Sequence, residues 1–183
     1  MYPIQEFHTL LPSPFNSERR KCITQEKIER MVASGREHGQ VQAGVVRSRV
    51  DGEWEIVIGE SRWMMCRELG IPFRAEVREL SDAQACGLIL TENLDRVNPD
   101  PLEEARTYAD MLAAKDSATG QKIFESVAAL AAVRGGDDGE RTIRRRLMLL
   151  EAPGPVLEAL AAGTVSLGVA ELIVSRPPEI REE

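Results

Sequence analysis

With 183 residues, 43% hydrophobic and 29% charged, the chain has the composition of one folded domain or two small ones, which excludes disorder throughout. No apolar run approaches the roughly 18 residues of a membrane helix, and no basic segment leads into an apolar core at the N-terminus, so a cytoplasmic protein is expected. The net charge of −7 argues against a general nucleic-acid coat, yet residues 17–49 carry eight Lys/Arg against four Asp/Glu, and residues 134–146 five Arg against three acidic groups. Because salt screens beyond about 8 Å, such islands act locally; they suit an anionic partner or a solvated helix face equally. Cys22, Cys66 and Cys86 lack CxxC or CxxH spacing, so reduced, packed thiols are expected and zinc is not.

Residues 1–16, with Pro3, Pro12 and Pro14, read as an extended lead-in or edge segment. Thr24 is an N-cap for a helix over 25–38, with Ile28, Met31, Val32 and Gly35 on one face and Gly39 as its stop. Ala43 to Val50 is β-rich, Asp51-Gly52 is a strong hairpin signal, and Trp54, Ile56 and Ile58 alternate behind it, so two antiparallel strands follow. Gly59 stops the second strand, and a helix is expected from there to about Leu69, closed by Gly70 and Pro72. Phe73, Ala75 and Val77 give a third strand. Ser81 and Gln84 form a capping box for a helix from Asp82 towards Leu94, which delivers Glu92, Asn93 and Arg96 at its end.

Asn98-Pro99-Asp100-Pro101 interrupts the chain, and Asp100, Pro101 and Glu103 open another helix. Beyond it the periodicity is helical: a stripe through Leu102, Ala105, Tyr108, Ala109 and Leu112, then segments over 123–133, 141–150, 156–161 and 169–174. The fold class read from this order is α+β: a small mixed-sheet domain over residues 1–96, an all-α domain over 97–176, and a tail over 177–183.

Three constellations carry chemistry. The strand–Gly59–helix junction leaves unpaired N–H groups and a partial positive charge where a phosphate could sit, with Arg62 as a clamp; an ordinary strand–helix turn looks the same. Glu92, Asn93 and Arg96 bring a carboxylate, an amide and a guanidinium to one helix end. That set suits Mg²⁺ with a phosphate ligand, or a solvated helix terminus. The third is a glycine and acidic turn at Gly135 to Gly139 followed by Arg141, Thr142, Arg144, Arg145 and Arg146. It matches a helix-turn-helix with base- and phosphate-reaching residues, or a bundle with a basic face, and its turn exceeds the usual three or four residues.

Over roughly residues 8–176 the chain resembles the ParB partition-protein family, with a ParB/sulfiredoxin-like N-terminal domain and a helix-turn-helix domain. The matching stretches are Pro14 to Lys21, Ser34 to Gln42 leading to Val45-Val46-Arg47, Trp54 to Trp63, and, most specifically, Glu92-Asn93-Leu94-Asp95-Arg96 with Asn98-Pro99 and Leu102 to Ala105. The resemblance implies a DNA-binding protein of plasmid or chromosome partition, acting at the nucleoid or plasmid. Such a protein binds CTP and Mg²⁺, recognises a palindromic site, closes as a homodimeric clamp, hydrolyses CTP slowly and works with a ParA-like ATPase. Carried over by position, Gly39, Gln42 and Arg47 lie near the nucleoside; Gly59, Glu60, Ser61 and Arg62 form the phosphate loop. Glu92, Asn93 and Arg96 surround the metal and the hydrolytic water, with Glu92 and Asn93 as metal ligands and Glu92 as the helper in hydrolysis. Arg141, Thr142, Arg144, Arg145 and Arg146 face DNA.

The departures are specific. The family's phosphate motif usually reads Gly-Glu-Arg-Arg-x-Arg-Ala, whereas here it is Gly59-Glu60-Ser61-Arg62-Trp63-Met64-Met65, and Ala43 stands where a proline is usual. Two lost charge-assisted donors at about 1.5–3 kcal/mol each weaken phosphate binding by orders of magnitude. Gly136-Asp137-Asp138 reads as an insertion before the recognition helix, and no dimerisation domain is read beyond residue 176. A non-enzymatic adaptor or transcriptional regulator on the same scaffold is the alternative these departures suggest. A sulfiredoxin-like activity would need a reactive cysteine in the phosphate loop, and Cys66 lies about two turns into the following helix.

Overall fold

The computed structural model describes residues 2–49, 51–94, 100–134 and 139–176. The chain packs as two compact units, Met1–Glu92 and Asn93–Glu183. Among the described residues no helix is long and apolar enough to cross a membrane.

The first unit is a five-stranded mixed sheet covered by helices. Strands β1 (Ile4–Phe7), β2 (Leu11–Pro12), β3 (Gly44–Ser48), β4 (Trp54–Ile58) and β5 (Phe73–Val77) lie in the order β1-β5-β3-β4-β2. β3 and β4 form the expected antiparallel hairpin, with Gly52 at φ 83 in its turn. The lead-in segment supplies both edges: β1 pairs antiparallel with β5 and β2 parallel with β4. Pro12, which has no N–H, is tolerated because β2 is an edge strand. The parallel pairing of β3 with β5 sends the chain through helix α3 (Glu60–Leu69) between β4 and β5.

Helix α2 (Gln25–His38) begins where expected, the Thr24 hydroxyl accepting from the Lys27 N–H at 3.2 Å, and ends at Gly39 with φ 65. A four-residue helix, α1 (Ser17–Arg20), precedes it. Phe7, Leu10, Val46, Ile56, Met65, Cys66, Phe73 and Ala75 form the core, with Met31, Val32, Trp54 and Trp63 packed against it, so both tryptophans are structural. Helix α4 (Asp82–Leu94) opens on the Ser81–Gln84 capping box, each residue's side chain accepting from the other's N–H at 2.9 and 3.2 Å.

Gly44 shows how tightly β3 is built in. A β-carbon there would lie 2.3 Å from Phe73 Cζ and 2.6 Å from the Ile58 carbonyl oxygen, and the latter is backbone that cannot step aside. Gly44→Ala is expected to destabilise the first unit by about 1–3 kcal/mol, read as a lower denaturant midpoint with unchanged slope.

Among its described residues the second unit is built of helices, α5 (Pro101–Ala113), α6 (Val127–Arg134), α7 (Gly139–Leu149), α8 (Gly154–Ala161) and α9 (Leu167–Val174), with one isolated antiparallel bridge between Lys115 and Lys122. Asp100 caps α5, its carboxylate accepting from the Leu102 N–H at 2.8 Å. The helix expected over 123–133 starts only at Val127. Upstream, Asp116 takes the N–H groups of Ala118 and Thr119 and the Thr119 hydroxyl at 2.9–3.1 Å, and Ser126 caps α6 through the Ala129 N–H at 3.1 Å. Such local side-chain bonds compete with helix. Leu130, Ile143, Leu149, Ala170 and Val174 are fully buried between these helices.

Candidate functional site

The junction after β4 has the geometry its sequence suggests. Gly59 adopts φ 101, a left-handed conformation that a side chain would strain, and its carbonyl accepts from the Trp63 N–H at 2.9 Å as α3 begins. Arg62 folds back across this turn: its guanidinium atoms lie 3.2–3.3 Å from where a Gly59 β-carbon would be. Its Nη1 donates to the carbonyls of Gln42 and Ala43 at 3.2 and 3.1 Å, with Gln42 Oε1 at 3.5 Å. One guanidinium thus joins the Gly59 turn to the strap at residues 39–43, and Gln42, Gly59 and Arg62 come together although 20 residues separate the first from the last.

Gln40, matched in sequence but given no role there, is what shapes the strap. Its Nε2 donates to the Gln42 carbonyl at 2.9 Å and the Arg74 carbonyl at 2.7 Å, while its Oε1 accepts from the Arg74 N–H at 2.7 Å. The Cys66 thiol lies 3.6 Å from the same oxygen. Cys66 is buried, and burial pushes its thiol up even though Arg62 pulls the other way. A thiol so placed has the character of a packed core group.

Glu60 occupies the first helical position of α3 but is buried and ion-paired with Arg20 of α1, whose Nη2 also donates to the Ser13 carbonyl at 2.8 Å. Ser61 and Met64 are half-buried beside it. Arg47, carried over to the nucleoside by resemblance, points into a buried ion cluster. Its Nη2 lies 3.0 Å from Glu55 Oε2 and 2.6 Å from Asp82 Oδ1, its Nη1 donates to the Leu80 carbonyl at 3.2 Å, and the group stacks over Phe15 at 5.5 Å. Burial alone would pull its guanidinium down, but Glu55 and Asp82 outweigh burial and hold it above its usual value. Asp82 opens α4, so this cluster ties the β3–β4 hairpin to that helix.

Glu92 is half-buried near the end of α4. Asn93 is buried, and its amide donates to the Thr107 hydroxyl at 3.4 Å. Arg96, with Asp95, Asn98 and Pro99, lies outside the described residues. Among the described residues no group of three His, Cys, Asp or Glu side chains has the arrangement of a metal site. The donors that remain are one carboxylate and one amide, a set that suits Mg²⁺ only when phosphate oxygens and water complete the coordination.

In the second unit α6 and α7 pack closely: Gly139 is buried, a β-carbon there meeting Ala131 at 3.4 Å, and Leu130 and Ile143 are fully buried. The turn residues Gly135, Gly136, Asp137 and Asp138 lie outside the described residues. Of the predicted DNA-facing residues, Arg141, Arg144 and Arg145 are exposed, whereas Thr142 and Arg146 are half-buried. Arg144 pairs with Glu140 at 2.6 Å and Arg145 with Glu171. Arg146 donates to Glu104 at 2.7 Å and lies 3.2 Å from Glu171. Glu104 is itself buried, accepts from the Tyr108 hydroxyl at 2.6 Å and lies 3.7 Å from Arg134. Burial, then the Glu104 carboxylate, pushes the Tyr108 phenol well above its usual value, while Arg134 at 2.8 Å works against that shift. Sequence periodicity marks Glu104 and Glu171 as ordinary helix residues; their roles follow only from which helices meet.

A five-stranded mixed sheet with a glycine-led helix after its hairpin, followed by a unit built of helices, defines an α+β protein of the ParB N-terminal fold. Residues 6–94 match the ParB N-terminal domain. The first unit is a ParB N-terminal domain, and the chain as a whole is similar to ParB-family proteins. It is 35% identical over 160 residues to a nucleoid occlusion protein of Geobacillus sp. (strain WCH70), covering 86% of this chain and 52% of that protein. It is 32% identical over 174 residues to the chromosome-partitioning protein Spo0J of Thermus thermophilus, covering 94% of this chain and 60% of that protein. The chain therefore spans little more than half the length of these relatives. Its fold is also that of the C-terminally truncated chromosome-partitioning protein ParB from Caulobacter crescentus complexed to the centromeric parS site, at TM-score 0.55, 24% identity and coverage of 96% of this chain and 86% of that one.

Proposed function

We propose that this chain is a ParB-type partition protein whose first unit binds CTP with Mg²⁺ and whose helical unit binds a palindromic DNA site. The observation that carries the reading is Arg62 drawn across the Gly59 turn to the residue 39–43 strap. That contact gathers Gln42, Gly59 and Arg62, three of the residues the family resemblance assigns to the nucleotide, around one guanidinium at the N-terminus of α3. A phosphate is a stronger partner for Arg62 than the two neutral carbonyls it now holds. Glu92 and Asn93 would supply the protein's share of the Mg²⁺ shell, the metal neutralising phosphate charge; Glu92 would take the hydrolytic role, and Arg96 would lie beside them. Arg47 contributes by fixing the β3–β4 hairpin rather than by touching the nucleoside. Acting at the nucleoid or on a plasmid, closing as a nucleotide-bound homodimer and working with a ParA-like ATPase complete the proposal.

Calorimetry with CTP, ATP, GTP and UTP in Mg²⁺, with and without a duplex carrying a parS site, tests it. Selective CTP binding is expected. Absence of binding to any triphosphate at millimolar concentration, with DNA present, would remove the nucleotide switch. A second reading has its own observation: Ser61 and Met64 put no charge beside Arg62, and Glu60 is already neutralised by Arg20. An adaptor or transcriptional regulator without nucleotide turnover would keep its DNA or protein partner in both Glu92→Ala and Arg62→Ala.

A further inference from the structure

We propose that Arg146 is a positioning residue of α7, and that the DNA-facing cations of this helix are Arg141 and Arg144, with Arg145 shared between DNA and Glu171. The assignment rests on the DNA reading above and divides four arginines that the sequence presents as one basic cluster.

At about 100° per residue, Arg141, Arg144, Arg145 and Met148 share one side of α7, while Ile143, Arg146 and Leu149 turn away from it. Exposure follows that division: the side chains of Arg144 and Arg145 are 63% and 54% exposed, that of Arg146 19%. Ile143 and Leu149 are fully buried. The Arg146 guanidinium spans three helices, its Nε on Glu104 of α5 at 2.7 Å and its Nη1 on Glu171 of α9 at 3.2 Å. To reach a phosphate it would have to abandon two carboxylates. One of them is the buried Glu104, whose other oxygen is committed to the Tyr108 hydroxyl. Leaving that carboxylate buried without its main cation is costly.

Arg144 faces no such cost. Its partner Glu140 is one turn away and 47% exposed, the kind of surface pair that holds little energy and yields to a phosphate. Arg141 is exposed at the start of the helix, the end that enters the major groove in helix-turn-helix proteins. Arg145 lies between these cases, since Glu171 is only 15% exposed and is shared with Arg146. Glu104 and Glu171 therefore set the direction of α7 through Arg146 and do not simply dilute its charge.

Counterion release separates contact from positioning, because each phosphate contact adds about 0.9 to the slope of log affinity against log salt. Anisotropy of the full chain on a labelled parS duplex and a scrambled duplex would be followed across a salt series. Arg141→Ala and Arg144→Ala are each expected to lower the slope by about 0.9 with melting unchanged. Arg146→Met is expected to weaken binding with the slope unchanged and the melting temperature lowered. Glu104→Gln removes no arginine and gives results of opposite sign: a positioning role predicts weaker DNA binding, whereas a contact role predicts equal or tighter binding as Arg146 is released. A slope loss of about 0.9 in Arg146→Met with unchanged melting, or tighter binding in Glu104→Gln, overturns the assignment while the DNA reading stands. No binding of the wild-type chain to either duplex at low salt overturns both.

Discussion

Arg47→Ala is expected to cost the first unit about 3–5 kcal/mol of stability. Arg47 is the cation in a buried cluster with two carboxylates, Glu55 at 1% exposure and Asp82 at 7%. Truncation leaves both without it, and a lone charge in that setting is far worse than a paired one. The damage extends beyond the pair. Arg47 Nη1 also holds the Leu80 carbonyl just before α4, and Asp82 is the first residue of that helix, so the hairpin and α4 lose a shared fastening. Arg47→Lys restores charge but not the planar fork that reaches Glu55, Asp82 and Leu80 together, and is expected to recover only part of the loss. The chain's two tryptophans, Trp54 and Trp63, both lie in the first unit. Denaturant melts followed by tryptophan fluorescence therefore report that unit alone. A shift below about 1 kcal/mol would mean that the cluster is hydrated and holds the hairpin only loosely.

Arg62→Ala is expected to weaken CTP binding by about 1.5–3 kcal/mol, roughly 10- to 150-fold in Kd. Two losses add. The charge-assisted donor to a phosphate disappears, and the strap at residues 39–43 loses the guanidinium that fastens its Gln42 and Ala43 carbonyls to the Gly59 turn. Gln40 still anchors the strap to Arg74, so the fold should survive and the effect should fall on affinity. Ser61→Arg carries the opposite sign: it returns one of the two arginines missing from the phosphate motif and should tighten binding by a comparable factor. Calorimetry of the three proteins with CTP and Mg²⁺ reads both changes. Equal affinities across the series would mean that the nucleotide does not use this turn.

The residues that announced themselves in the sequence are those whose partners lie within a few positions. Thr24 with Lys27, Ser81 with Gln84, Asp100 with Leu102, and Gly52, Gly59 and Gly70 at positive φ all behave as their local chemistry requires. Each interaction closes a short loop at small entropic cost, so neighbouring residues suffice to predict it. The overestimate at 123–126 arises where apolar periodicity points to helix but the Ile123 N–H pairs with the Ala114 carbonyl and Ser126 caps the helix through the Ala129 N–H.

The site residues divide along the same line. Gly59, Gln42 and Arg62 were named in the sequence through motif order, but that Arg62 bridges them is a contact across 20 positions. Arg47 and Arg146 match their motifs as basic residues, yet the partners that define them lie 33 and 42 positions away for Leu80 and Glu104. Helical periodicity turns Arg146 away from Arg144, but it does not reveal that Glu104 and Glu171 lie on that side.

The sequence by itself determined the elements, their caps and turns, the α+β order and the glycine that opens α3, because these depend on local backbone preference and on the period of apolar residues. Tertiary structure alone decided which cations remain at the surface and which are bound inside. Burial of a charge is tolerated only where opposite charges from distant segments converge, and that convergence depends on how the sheet and helices pack.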